Sequence, residues 1–239
     1  MKYDIIGFCS ENYKACYDFS IQSWLATNAR KIYIYTDGWS DDTQDGRVEF
    51  INISQKDIEW VVNTGKKVDC MLDYWNREGT LDNFCFLDMD NYVVSDLAEV
   101  FDMIETIGLT RIYTRTTSAG NVFFTKNEIS KKFLDEWYIK QKEWKESKDW
   151  TGHHGTAYDQ WSLHELTAKD LNIHNNEKVT VNQYKITSLV NEIWNCEHDD
   201  IDLWCRMISQ NKSKLLHFKM GRWSDERLVN RIKHIISQY

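Results

Sequence analysis

The chain has 239 residues, 42% of them hydrophobic and 14% aromatic, with a formal net charge of −8. That balance suits one soluble globular domain able to bury its own core and argues against general nucleic-acid binding. No run approaches the roughly 18 apolar residues of a membrane span, and the opening "MKYDIIGFCSENYKACYDF" turns polar too early for a signal peptide, so a cytoplasmic location is expected.

In chain order, "YDIIGF" (3–8) reads as a buried strand, followed by a helical stretch from about Tyr13 to Asn28. "KIYIYTD" (31–37) and "VEFINIS" (48–54) are the next strands, and a helical segment around 56–76 precedes the strand "FCFL", which ends at Asp88. "DLAEVFDMI" suggests a short helix with Asp96 near its N-terminus, and "GNVFFT" (120–125) a further strand. From Asn127 to about Glu146 a helix sets Ile129, Phe133, Trp137 and Trp144 on one face. "KDWTGHHGTAYDQW" is a loop entering a helix, and "KLLHFKMGRW" a late strand and loop. "SDERLVNRIKHIISQY" closes the chain as a helix capped by Ser224. Strands alternating with helices predict an α/β fold with a mostly parallel central sheet.

The six cysteines (Cys9, Cys16, Cys70, Cys85, Cys196, Cys205) show no metal-ligand spacing and read as reduced core residues. The pattern around Asp88 is more telling. A strand that persisted to residue 90 would point Asp88 and Asp90 the same way. Two like charges so close raise each other's pKa unless a cation lies between them, and a divalent ion is the simplest candidate. Their place at the carboxyl end of a strand is where open α/β sheets bind ligands.

Four blocks then carry a resemblance that spans nearly the whole chain. They are "FCSENY" after the first strand, "FLDMDNYVVSDLAEVF", "AYDQWSLHEL" and "LLHFKMGRW". In this order they resemble the nucleotide-sugar glycosyltransferases of the GT-A fold, nearest to the glycogenin and lipopolysaccharide-galactosyltransferase type. The sequence departs from that pattern at "SAGNVFF", where the family tends to show Asn-Ser-Gly followed by an aliphatic strand, and at "HFKMGRW", which lacks an ending in Lys-Pro-Trp.

The resemblance implies a single Rossmann-like domain, with residues 1–110 binding the donor and 111–239 forming the acceptor part and a metal- and phosphate-binding block. It implies a Mn²⁺ or Mg²⁺ ion held by Asp88, Asp90 and His217, a ligand set of hard oxygens and one imidazole. Donor contacts would come from Phe8, Ser10, Asn12, Tyr13, Asp37, Lys67 and Asp88, with Lys219 and Arg222 clamping the diphosphate. Tyr13 would stack on the base or else open the helix core; Asp37 would touch the donor or only make a turn. Lys66 and Lys67 lie where the family has a basic donor-binding residue, or at a solvated helix start. Asp159 and Gln160 are the candidates for the reaction centre, with His153, His154 and Trp161 lining the acceptor site, although Trp161 suits the core equally. The expected reaction moves a sugar from a nucleoside-diphosphate sugar, UDP being the family's commonest donor, to a hydroxyl of a carbohydrate or glycoconjugate acceptor, with retention.

Two other classes compete. An apolar strand ending in DxD also marks haloacid-dehalogenase-like phosphatases, for which "TRTTS" (114–118) and "HDDID" (198–202) would supply further motifs; their motif opens the domain, whereas here it follows about eighty residues. A non-catalytic module that binds sugar nucleotides is the second. The closing helix sets Leu228, Ile232, Ile235, Ile236 and Tyr239 on one face, with Arg227, Arg231, Lys233 and His234 around the rest. Such a helix docks on its domain or lies peripherally on an anionic membrane.

Overall fold

The computed structural model describes residues 1–42, 45–53, 66–112, 116–147, 158–167, 178–181, 183–196 and 212–217, together with the single residues 206, 210, 234 and 237. The expected strands form as β1 (Asp4–Cys9), β2 (Lys31–Thr36), β3 (Val48–Asn52) and β4 (Asn83–Leu87). They are followed by β5 (Asn91–Val93), β6 (Ile107–Ile112), β7 (Thr116–Thr125), β8 (Lys178–Val181), β9 (Tyr184–Leu189) and β10 (Leu215–His217). The helices are α1 (Lys14–Leu25), α2 (Lys66–Asn76), α3 (Val100–Met103), α4 (Glu128–Ser147), α5 (Tyr158–Thr167) and α6 (Asn191–Trp194).

Eight strands form one sheet in the order β3-β2-β1-β4-β7-β6-β9-β8. The first four run parallel, β7 pairs antiparallel with both β4 and β6, and β9 returns parallel to β6. Pleat alternation feeds two cores. Ile6, Phe84, Phe86, Val122 and Phe124 face α2, α4 and α5, whereas Ile5, Cys85, Leu87 and Phe123 face α1 and α3. The chain leaves β1 toward β2 on one side and returns at β4 on the other, so the carboxyl ends of β1 and β4 flank the crevice where such sheets bind ligands.

Several sequence expectations need correction. The strand does not persist through Asp90: it stops at Leu87, and Asp88–Asn91 is a turn closed by the Asn91 amide on the Asp88 carbonyl at 3.0 Å. Asp96 lies ahead of α3 and does not start it; its carboxylate accepts from the Tyr3 hydroxyl and the Asn28 and Ala98 amides. The strand placed at 120–125 begins at Thr116, and β6, β8 and β9 were not anticipated. Cys9, Cys16, Cys70, Cys85 and Cys196 are buried free thiols, as expected; Cys205 lies outside the described residues.

Among the described residues no helix is long and apolar enough to cross a membrane. The closing helix, and with it the membrane expectation, lies outside them apart from His234 and Ser237.

Candidate metal and donor site

The turn after β4 is held from below by α1. Ser20 Oγ donates to the Met89 carbonyl at 2.6 Å, Trp24 Nε1 to the Asn91 carbonyl at 3.2 Å, and Ser23 Oγ accepts the Val93 amide at 3.0 Å. Trp24 approaches so closely that a Cβ on Gly7 would lie 2.7 Å from its ring. The turn's two carboxylates are therefore set by buried packing, independently of any pleat.

The two-stranded ribbon β5–β10 brings in the third group. It pairs antiparallel with His217 opposite Asn91, which places the imidazole beside the turn although 126 positions separate the two residues. His217 Nε2 lies 3.2 Å from Asp90 Oδ1 and 3.9 Å from Asp88 Oδ2. Asp88, Asp90 and His217 can each offer one ligand atom, all within 4.8 Å of one another. Two oxygens and one nitrogen make a donor set fit for a divalent ion such as Mn²⁺.

A cation of the protein's own lies on the other side of Asp88. Lys67, in the first turn of α2, places Nζ 2.8 Å from Asp88 Oδ1 and 3.1 Å from Asp159 Oδ2. Asp159, in the first turn of α5, is fully buried. Its backbone carbonyl accepts from Trp137 Nε1 at 3.0 Å and Ser162 Oγ at 3.0 Å, which ties the turn to α4. Its carboxylate, by contrast, is held by the Lys67 ammonium at 3.1 Å, a charged contact inside a buried site.

The electrostatics follow from crowding. Burial pushes the Asp88 carboxyl up, Asp90 adds to this, and Lys67 and His217 offset it only in part, leaving a pKa of about 6. Burial alone would lower the Lys67 and His217 pKa values. For Lys67 the Asp159 and Asp88 carboxylates outweigh burial, and for His217 Asp90 does so first, so both bases are held above their ordinary range. A divalent ion entering this site competes with protons for Asp88 and His217. Its affinity is expected to fall as pH drops through about 6, because the protonated forms then prevail. Calorimetry of Mn²⁺ binding in buffers of different ionisation enthalpy measures the protons released.

Gly120, in β7, makes the site possible. A Cβ there would lie 2.6 Å from His217 Cε1 and 3.1 Å from Asp88 Oδ2. Gly120→Ala should displace both side chains, weaken Mn²⁺ binding and destabilise the fold by ~1–3 kcal/mol, the scale of overpacking. Thermal melts with and without Mn²⁺ test this; a variant with the wild-type shift on adding metal would contradict it.

The remaining expected residues distribute unevenly. Ser10, at the end of β1, is buried with its hydroxyl unpaired among the described residues. Phe8 and Tyr13 are half-buried and pack against the two cores, and Asp37 Oδ1 accepts the Glu11 amide at 2.9 Å. Asn12 falls in the short 3₁₀ turn Glu11–Tyr13, but its side chain is not described. Gln160 is half-buried next to Asp159, and Trp161 stacks on Trp144 with ring centroids 6.4 Å apart. His153, His154, Lys219 and Arg222 lie outside the described residues. Of the phosphatase motif at 114–118, Thr117 bonds Thr167 at 2.7 Å inside the core, while 114–115 and the second motif at 198–202 lie outside the described residues.

Two residues were missed altogether. Asn195, after α6, places Oδ1 2.9 Å from His217 Nδ1, and Asn121, in β7, donates to that same oxygen at 2.7 Å. Only the unexpected polar residue in "SAGNVFF" hinted at Asn121.

No protein-family model matches the chain, and no curated protein matches its sequence. Solved structures do. The glycosyltransferase GlyE of Streptococcus pneumoniae TIGR4 superposes with a TM-score of 0.62 at 15% identity, over 99% of this chain and 60% of that one. This chain thus spans about three-fifths of that protein's length. The galactosyltransferase LgtC, in complex with donor and acceptor sugar analogues, gives 0.59 at 12% identity, covering 98% and 95% of the two chains. A glycosyltransferase involved in glycosylation of the major capsid of PBCV-1 gives 0.57 at 9%, covering 98% and 99%. The fold is the GT-A type seen in these glycosyltransferases.

Proposed function

We propose that this chain, built on a glycosyltransferase fold, is itself a metal-dependent glycosyltransferase that uses a nucleoside-diphosphate sugar, UDP being the preferred nucleotide. The observation that carries the reading is the convergence of Asp88, Asp90 and His217 within 4.8 Å at the switch point of this sheet. The phosphatase alternative is disfavoured by the fold and by the burial of Thr117 away from Asp88.

In this reading residues 1–110 bind the donor, and residues 111–239 supply the acceptor part and His217. Asp88, Asp90 and His217 hold Mn²⁺ or Mg²⁺, and a bound divalent ion supplies charge neutralisation on the departing diphosphate. Phe8, Ser10, Asn12, Tyr13 and Asp37 would contact the nucleotide, and Lys219 and Arg222 would add positive charge to the phosphates. Lys67 holds Asp88 and Asp159 in one frame, so donor contacts and the reacting carbon are positioned together. Asp159, with Gln160, then stands where a carboxylate stabilises positive charge developing on the sugar, which suits transfer with retention. The acceptor, a carbohydrate or glycoconjugate hydroxyl, would be contacted by Trp161 and by His153 and His154, the latter two outside the described residues.

A screen of nucleotide sugars with Mn²⁺, reading release of the nucleoside diphosphate, tests the assignment. Slow hydrolysis of a UDP-sugar that stops on chelation is expected. Turnover of an aryl phosphate through a trapped aspartyl-phosphate would instead establish the phosphatase, and nucleotide binding without turnover the non-catalytic module.

A further inference from the structure

His217 is held through its second ring nitrogen by a chain of hydrogen bonds that begins at a backbone carbonyl. The carbonyl oxygen of Trp194 accepts from Asn121 Nδ2 at 3.2 Å. The same Nδ2 donates to Asn195 Oδ1 at 2.7 Å, and that oxygen lies 2.9 Å from His217 Nδ1. Asn195 Nδ2 in turn donates to Asn191 Oδ1 at 3.0 Å. Asn121 and Asn195 are completely buried.

Side-chain amides can turn over and imidazoles can move their proton, but a peptide carbonyl can only accept. The direction of the whole chain follows from this. Trp194 O requires the amino group of Asn121, whose two hydrogens serve Trp194 and Asn195. Asn195 must therefore present its oxygen, and an oxygen facing Nδ1 requires the proton to be on Nδ1. Turning Asn121 would set its oxygen against the Trp194 carbonyl, and turning Asn195 would set two amino groups against each other, in a buried place. With Nδ1 protonated, Nε2 is the atom that faces Asp90 and Asp88, where it holds a second proton toward Asp90 or gives its lone pair to a metal ion. An isolated neutral imidazole prefers its proton on Nε2.

We propose that Asn195, oriented by Asn121 and the Trp194 carbonyl, is a positioning residue that keeps His217 in the Nδ1–H form and so presents Nε2 to a metal ion. The relay rests on the metal-site reading above. Ligating histidines depend on such partners for both tautomer and ring orientation.

Two measurements on the full chain decide the matter. A long-range ¹H–¹⁵N correlation spectrum of metal-free wild type should show His217 carrying a proton on Nδ1, whether or not Nε2 also carries one. Mn²⁺ titration by calorimetry should show Asn195→Ala binding roughly 10–100-fold more weakly. Asn195→Asp, which keeps an acceptor at that place, should restore both the Nδ1 proton and most of the affinity. A proton on Nε2 alone in wild type overturns the relay, as does wild-type affinity in Asn195→Ala or an Asp variant as weak as the Ala variant. Should Asn195→Ala fail to fold, the wild-type spectrum and the Asp variant still decide. Wild type that shows Nδ1–H yet binds no Mn²⁺ overturns the metal reading and the role proposed for Asn195, while leaving the tautomer in place.

Discussion

Asp90→Asn is expected to abolish Mn²⁺-dependent binding of UDP while leaving the fold intact. The substitution preserves shape but removes the charge facing His217 Nε2 at 3.2 Å. A directly coordinating carboxylate should matter more than the roughly 10–100-fold that outer partners of metal ligands contribute. The turn itself should survive, because it is held by backbone groups and by Ser20, Ser23 and Trp24, and not by the Asp90 carboxylate. Calorimetry with UDP and Mn²⁺, beside a thermal melt, separates the two effects. Unchanged nucleotide affinity in a folded variant would remove Asp90 from the metal site.

Asp159→Asn should reduce turnover by about 10²–10³-fold, the scale on which one preorganised charge stabiliser acts. Donor affinity should change little, because the carboxylate sits beyond Lys67 from the metal ligands. Lys67 keeps Asp88 as a partner at 2.8 Å, so its own burial remains compensated. Steady-state hydrolysis of the preferred UDP-sugar, with donor binding measured separately, makes the distinction. A variant that loses donor binding but keeps its turnover number would place Asp159 among the donor contacts instead.

Much of this arrangement could be read in advance. Apolar runs identified β1, β2 and β4, since a strand buried on both faces needs nearly continuous hydrophobicity. The helix pattern of Ile129, Phe133 and Trp137 also matched α4, whose Phe133 and Trp137 are fully buried. The strands that escaped notice are those whose local signal is weak. β6 carries a glycine and a threonine, and β8–β9 interleave lysine and threonine with apolar residues, so only their neighbours in the sheet stabilise them.

The candidate site divides in the same way. Asp88 and Asp90 drew attention by their spacing at a strand end, whereas Asp159 and His217 came only from the resemblance carried by "AYDQWSLHEL" and "LLHFKMGRW". What the amino-acid order determined alone was therefore an α/β frame with a pair of carboxylates at its switch point. Tertiary structure decided the geometry. It ended β4 at Leu87 and made the aspartates a turn, because Trp24, Ser20 and Ser23 of α1 bind the backbone there. It set Lys67 between Asp88 and Asp159, and Asn121 and Asn195 behind His217. Those contacts span from 21 to 92 positions of sequence, and hydrogen bonds and ion pairs act only within a few ångströms. No local pattern encodes such a distance; packing the helices against both faces of the sheet does.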